Sequence, residues 1–194
     1  MPTSTPRKPD RRVERTRDVL LYALMDLLVE RGYERLTIQN LLDRSGVGRA
    51  TFYAHFESKD ELLACSIARL RAWLVQAWKE GPDQRLGFTL PFFQHLASHR
   101  RIYQMTTARE SEVTVEVHIR RMLRELVRED LVARRPASRA DASLDLATHY
   151  VVAALWSTIV WWMDSVSPMP PEEINALFQR LTFPGLDVTL GDLR

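Results

Sequence analysis

The sequence predicts an all-α protein, and three observations carry that expectation. Apolar residues recur at three- and four-residue steps along most of the chain, and no segment sustains a two-residue alternation bounded by turns. Glycine is scarce, with seven in 194 residues, and the ten prolines cluster where the helical patterns break. At 45% hydrophobic and 27% charged, the chain has apolar content for a real core and too much of it for a disordered segment. Its single cysteine, Cys65, excludes an internal disulfide and points to a reducing compartment. The N-terminal MPTSTPRKPDRR has no apolar run behind its basic residues, so it does not read as a secretory signal, and the expected location is the cytoplasm.

The first helix is expected from Leu20, Leu24, Leu27 and Leu28, one buried stripe, with Gly32 ending it. Thr37 is a plausible N-cap for a short helix carrying Ile38, Leu41 and Leu42, which Gly46-Val47-Gly48 breaks after barely two turns. A second short helix, Arg49–Phe56, follows at once. Ser58 with Glu61 three residues on is a capping-box pattern, opening a long helix over 59–78 that Gly81-Pro82 closes. Beyond it the periodicity predicts helices at about 86–99, 101–108, 112–133, 143–165 and 171–182, with Pro91 kinking the first of these or marking its first turn. Residues 146–163 carry no formal charge, at the short edge of a membrane span. Asp145 and Asp164 bracket them and His149, Ser157 and Thr158 interrupt them, which favours a central helix or one shared with a partner chain over a membrane segment.

The net charge of +2 hides an uneven distribution. Residues 1–17 hold six basic side chains against two acidic ones, while residues 61–194 hold sixteen of each sign. A basic arm on a neutral body is the footprint of a chain that meets phosphate, or else a solvated tail. Two short helices joined by a glycine turn, with one helix before and a long one after, make the helix-turn-helix layout. In that layout the first short helix braces the second, whose N-terminal side chains reach base edges in the major groove. Here the reading helix is Arg49–Phe56, with Phe52 and Phe56 anchoring its inner face.

The run from Leu36 to Leu63 resembles the DNA-binding signature of TetR-type transcriptional regulators. Gly46-Val47 is followed by Thr51-Phe52-Tyr53-Ala54-His55-Phe56 and then Ser58-Lys59-Asp60-Glu61-Leu62-Leu63, and Thr16-Arg17 with Leu20 to Tyr33 fits the family's first helix. The resemblance implies three parts: a basic arm (1–12), a three-helix helix-turn-helix domain (13–60) and a helical ligand-binding and dimerisation domain (61–194). It implies backbone contacts from Thr37, Thr51, Tyr53, His55 and Lys59, and places Gln39, Gly48, Arg49, Ala50 and Ala54 near base edges. Of these, Arg49 has the chemistry to read guanine and Gln39 adenine. The sequence departs from the family at Leu42 and Ser45, where alanine is usual, and at Gly48, where a polar residue is common.

For the C-terminal part the resemblance implies a small-molecule effector and a homodimer on a twofold double-stranded DNA operator. An apolar or aromatic effector is expected among Phe88, Phe92, Tyr103, Met122 and Trp156. The subunit interface is expected on helices 143–165 and 171–182 through Trp156, Val160, Ile174, Leu177 and Phe178. No metal or cofactor is expected: the histidines are not spaced as ligands, and Cys65 has no partner cysteine. Phosphate-binding glycine loops, a nucleophile elbow and His-Glu-x-x-His are all missing from the sequence, so no enzyme is expected. The sequence thus predicts a ligand-responsive DNA-binding regulator, most simply a repressor. The alternative is a helical small-molecule-binding protein without operator recognition.

Overall fold

A computed structural model describes residues 11–101, 103, 113–134, 141–166 and 169–190. The elements are α1 (Arg11–Arg31), α2 (Ile38–Ser45), α3 (Arg49–Tyr53), α4 (Lys59–Glu80), α5 (Thr89–Ser98), α6 (Val113–Ala133), α7 (Asp141–Asp164) and α8 (Pro171–Leu190). Residues 100, 101 and 103 are helical as well, and no strand occurs among the described residues. The chain divides into two compact units, residues 1–66 and 67–194, with the division falling inside α4.

In the first unit, α1 packs on α2 through the stripe the sequence encodes. Leu20, Leu24, Leu27 and Leu28 are buried against Leu41 and Leu42 of α2, with Leu62 and Leu63 of α4 buried in the same unit. Leu42, one of the departures from the family, fills core volume that an alanine would leave empty. The helix ends where Gly32 takes φ 75°, a left-handed conformation that glycine adopts without a Cβ penalty, and its N–H returns to Leu28 O at 3.0 Å. Helix α1 begins at Arg11, so residues 11 and 12 of the expected arm are helical. The remainder of the arm, residues 1–10, lies outside the described residues.

In the second unit, α6 packs on α7, and α8 packs on both α5 and α7. Pro91 is the third residue of α5, inside the first turn, where its missing N–H has no intrahelical partner to lose. Helix α7 is long and apolar enough to cross a membrane by composition, over Ser143–Asp164. Val151, Val152, Leu155, Ile159, Trp162 and Met163 are nevertheless buried within the chain, as a core helix requires. Helix α8 continues to Leu190, past the expected end at 182 and through Pro184. The proline gives up one backbone bond. The last turns are held by buried Leu186, by an Arg85–Asp187 ion pair, and by the Arg85 guanidinium 4.3 Å from the centre of the Phe183 ring.

The loop before α5 is set by buried polar contacts. Asp130, 1% exposed on α6, accepts from Leu86 N at 3.0 Å and from Arg134 Nε at 2.9 Å. Leu86 has φ 49°, unusual for a residue with a side chain, and the carboxylate holds its N–H in that strained conformation. Gly87 follows because a Cβ there would stand 2.5 Å from Trp78 Cδ1.

Candidate nucleic-acid interface

Thr37 caps α2 through a reciprocal box. Its Oγ1 accepts from Asn40 N at 3.2 Å, and Asn40 Oδ1 accepts from Thr37 N at 3.1 Å. At the other end Gly46 takes φ 67° and returns its N–H to Leu42 O at 2.9 Å. Apart from its own chain neighbours, nothing among the described residues would lie within 4 Å of a Cβ on Gly46, so the backbone conformation, not space, requires glycine there. Gly48 is the N-cap of α3 in an extended conformation open to any residue, and a Cβ would meet only Thr51 Oγ1 at 3.9 Å.

Helix α3 is five residues long, shorter than the Arg49–Phe56 expected, because the chain tightens at Ala54, where His55 N and Phe56 N both bond to Phe52 O. Phe52 and Phe56 are fully buried with ring centres 6.1 Å apart, which fixes the inner face. The outer face then carries Arg49, Ala50, Thr51, Tyr53 and Ala54 together, all exposed. The Tyr53 ring stands edge-on to Phe52 at 5.4 Å and is half exposed, while His55 is half-buried.

Four of the expected DNA contacts are engaged within the chain: Thr37 in its cap, and Gln39, Arg49 and Lys59. Arg49 Nη2 donates to Gln39 Oε1 at 2.7 Å, across the turn between α3 and α2. Lys59 Nζ donates to the carbonyls of Tyr33 and Leu36, each at 3.0 Å, and lies 4.3 Å from the centre of the Tyr33 ring. The Tyr33 hydroxyl in turn donates to Asp60, and burial with that carboxylate beside it holds the phenol far above its ordinary pKa. Ser58 caps α4 as its pattern predicts, accepting Glu61 N at 3.1 Å, but Glu61 reaches back to Glu57 N rather than to the cap residue's own N–H.

Three further residues shape this surface. Arg44 of α2 binds both carboxylate oxygens of Glu30 at 2.6 Å and Asp26 at 3.4 Å, clamping α2 to α1, and the four-residue spacing of Asp26 and Glu30 is the signal that could have found it. Arg17 of α1 sets its guanidinium 5.1 Å from the centre of the Phe56 ring. Asp43, four residues after Gln39, accepts from Gln39 Nε2 at 2.7 Å.

The expected effector residues turn out to be mostly core. Phe88, Phe92 and Met122 are buried, Tyr103 is nearly so, and Trp156 is half-buried with the Arg120 guanidinium 5.8 Å from its ring centre. Phe88 packs edge-on to Trp78 at 5.9 Å, so it fills space rather than lining it. A cleft of about 620 Å³ is bordered by Val75, Trp78, Lys79, Asp130 and Arg134, a more polar wall than the expected aromatic one. Two of the expected interface residues are buried within the chain. Ile174 and Phe178 are each 2% exposed and face the chain's own core, because the apolar stripe of α8 that packs on α5 and α7 runs through them. The outward apolar residues are Leu146, Tyr150 and Trp161 on α7 and Leu181 and Val188 on α8. Trp156, Val160 and Leu177 are half-buried.

The helix-turn-helix and the helical body that follows it each have counterparts among known proteins. A sequence profile for bacterial regulatory proteins of the tetR family matches residues 20–64, and one for a transcriptional regulator C-terminal region matches residues 83–183, more than half of the chain. The chain belongs to the TetR family. As a TetR-family member it is a ligand-responsive, DNA-binding transcriptional regulator. It is 22% identical to the HTH-type transcriptional repressor KstR2 of Mycolicibacterium smegmatis, over 99% of this chain and 98% of that one. It is 43% identical to an uncharacterized HTH-type regulator, YxbF of Bacillus subtilis, over 34% of this chain but only 18% of that protein. Its fold is similar to that of a TetR transcriptional regulator from Streptococcus agalactiae, with a TM-score of 0.68 at 23% identity, covering 89% of this chain and 96% of the other.

Proposed function

We propose that this TetR-family protein is a cytoplasmic repressor that binds a palindromic operator as a homodimer and leaves it when a small molecule occupies the C-terminal unit. The observation that carries the reading is the outer face of α3, where Arg49, Thr51 and Tyr53 stand exposed on a helix whose inner face is locked by Phe52 and Phe56. Arg49 meets guanine in the major groove. Thr37, Thr51, Tyr53 and His55 take phosphate oxygens, Gly48, Ala50 and Ala54 let the backbone approach, and Lys59 presents its remaining N–H to phosphate.

Dimerisation follows from what α7 and α8 leave uncovered. Leu146, Tyr150 and Trp161, at four- and eleven-residue steps, share one face of α7, and Leu181 and Val188, seven apart, share one face of α8. An apolar hollow of about 270 Å³ between the two helices, lined by Leu146, Tyr150 and Leu186, accepts side chains of a second copy. A two-headed reader is also what a five-residue helix needs, since one such helix contacts too few bases for useful specificity.

The effector is an apolar or aromatic molecule. Trp73, His95 and Tyr103 form a ring cluster with centres 5.6 and 6.0 Å from His95, and Trp73 is half exposed beside it. Burial, with His99 adjacent, pushes the His95 imidazole down to about 4, so it offers an uncharged polar edge at neutral pH. Occupancy favours a conformation whose two heads no longer match the half-site spacing. Footprinting on the promoter beside its own gene tests the reading. A protected palindrome that vanishes in Arg49→Ala supports it, and binding equal on all sequences sinks it.

A further inference from the structure

We infer that Asp43 determines operator specificity at a distance, by holding Gln39 as a bracket for Arg49. The inference rests on the reading that Arg49 meets a base edge. The three side chains form one chain of hydrogen bonds: Asp43 Oδ1 accepts from Gln39 Nε2 at 2.7 Å, and Gln39 Oε1 accepts from Arg49 Nη2 at 2.7 Å. The order of charges fixes the direction. A guanidinium only donates and a carboxylate only accepts, so a single orientation of the Gln39 amide satisfies both neighbours. Gln39 and Asp43 stand four apart on α2, and Arg49 is the first residue of α3, so the bracket spans the turn.

The consequences for base reading are specific. Arginine has five N–H donors in a planar fork, and the bond to Gln39 uses one, leaving a free edge for the O6 and N7 of guanine. Gln39 has its oxygen on Arg49 and one N–H on Asp43, so it acts as a positioning residue in place of the adenine reader its side chain suggests. Asp43 is exposed and anionic on a surface that faces phosphate, where it lowers affinity for every duplex alike. What offsets that repulsion is a guanidinium held in one rotamer before DNA arrives.

The test uses the full chain and a pool of duplexes randomised across the half-site. After the preferred site is selected, affinities are measured for that site and for each single-base change, at one salt concentration. Arg49→Ala should abolish preference at one guanine. Asp43→Ala should weaken preference at that same position by about two- to tenfold, the scale of one freed long side chain, leave the other positions unchanged and tighten non-specific binding. Asp43→Asn, whose Oδ1 still accepts from Gln39, should restore the preference without restoring the charge. Thermal unfolding of both variants should match the parent, because Asp43 is exposed. If Arg49→Ala abolishes the preference and Asp43→Ala leaves it intact, the bracket is wrong while the base reading stands. Should both Asp43 variants merely tighten all duplexes equally, Asp43 is only a repulsive charge and the inference falls. If Arg49→Ala alters no position, the base reading itself fails and takes the bracket with it.

Discussion

Lys59 reaches back from the start of α4 to the carbonyl of Tyr33, 3.0 Å away, with its ammonium 4.3 Å from the centre of the same residue's ring. A cation at a helix N-terminus is on the unfavourable end of the dipole, so this position needs compensation. The compensation comes from Tyr33 and Leu36, whose carbonyls lie just beyond the end of α1. One side chain therefore ties the end of the first helix to the beginning of the fourth.

Lys59→Met should lower the stability of the DNA-reading unit by about 1–3 kcal/mol, the range for losing hydrogen bonds to a charged donor. Urea unfolding followed by circular dichroism reads this directly. An unchanged midpoint with a shallower salt dependence of DNA binding would make Lys59 a phosphate contact and nothing more.

Arg100 places Nη2 within 3.1, 2.7 and 2.9 Å of the carbonyls of Trp162, Met163 and Ser165. These belong to the end of α7 and the residue beyond it, where backbone acceptors have no intrahelical donor. Arg100→Met keeps the apolar stem and removes the cap, and should cost about 1–3 kcal/mol. Denaturant titration of the two proteins side by side checks it.

Asp130 is the buried anchor of the loop before α5, so Asp130→Ala should be among the most damaging changes in the second unit. It strands Arg134 Nε and the Leu86 N–H together, at about 3–5 kcal/mol. Gly87→Ala should also destabilise, since the added methyl meets the rigid indole of Trp78 at 2.5 Å. Thermal melts rank the two, and a Gly87→Ala protein as stable as the parent would show that the loop has slack.

His95 makes stability depend on pH. Desolvation first, and the neighbouring His99 second, lower its pKa from the ordinary 6.5 to about 4. Between those values the unfolded chain binds a proton at this position that the folded chain does not. Its contribution is thus fully present above pH 6.5 and is lost as the solution is acidified toward pH 4. Comparing unfolding free energies at pH 7 and pH 5 for the parent and His95→Gln should show a smaller acid loss in the variant.

Much of this was legible in the sequence because local rules and tertiary packing agree. Thr37, Gly46, Phe52 and Ser58 are caps, turn and anchors whose chemistry suits one conformation each, and each takes the role its residue type suggests. Periodicity located α5, α6, α7 and α8 but not their outward faces, and the helix expected at 101–108 lies mostly outside the described residues. Ile174 and Leu181 lie on the same helix with similar hydropathy, and only the packing of α8 on α5 and α7 decides that one is buried and the other exposed. The aromatic residues are ambiguous for a related reason, since a side chain fit to line a pocket is equally fit to fill space, and Phe88 is buried against Trp78. Long-range polar links such as Asp130 to Leu86 leave no periodic trace, because they join residues 44 apart through space.

Competition binding decides whether α3 reads DNA sequence from two copies of this chain. A labelled operator duplex is bound by the full chain and displaced by unlabelled operator or by a scrambled duplex of equal length, with the stoichiometry measured in parallel. Two chains per palindrome, or a multiple of two, are expected, with scrambled competitor weaker by roughly a thousandfold or more. Arg49→Ala should collapse most of that ratio. Equal displacement by both duplexes, or one chain per site with Arg49→Ala unchanged, would contradict such reading from two copies.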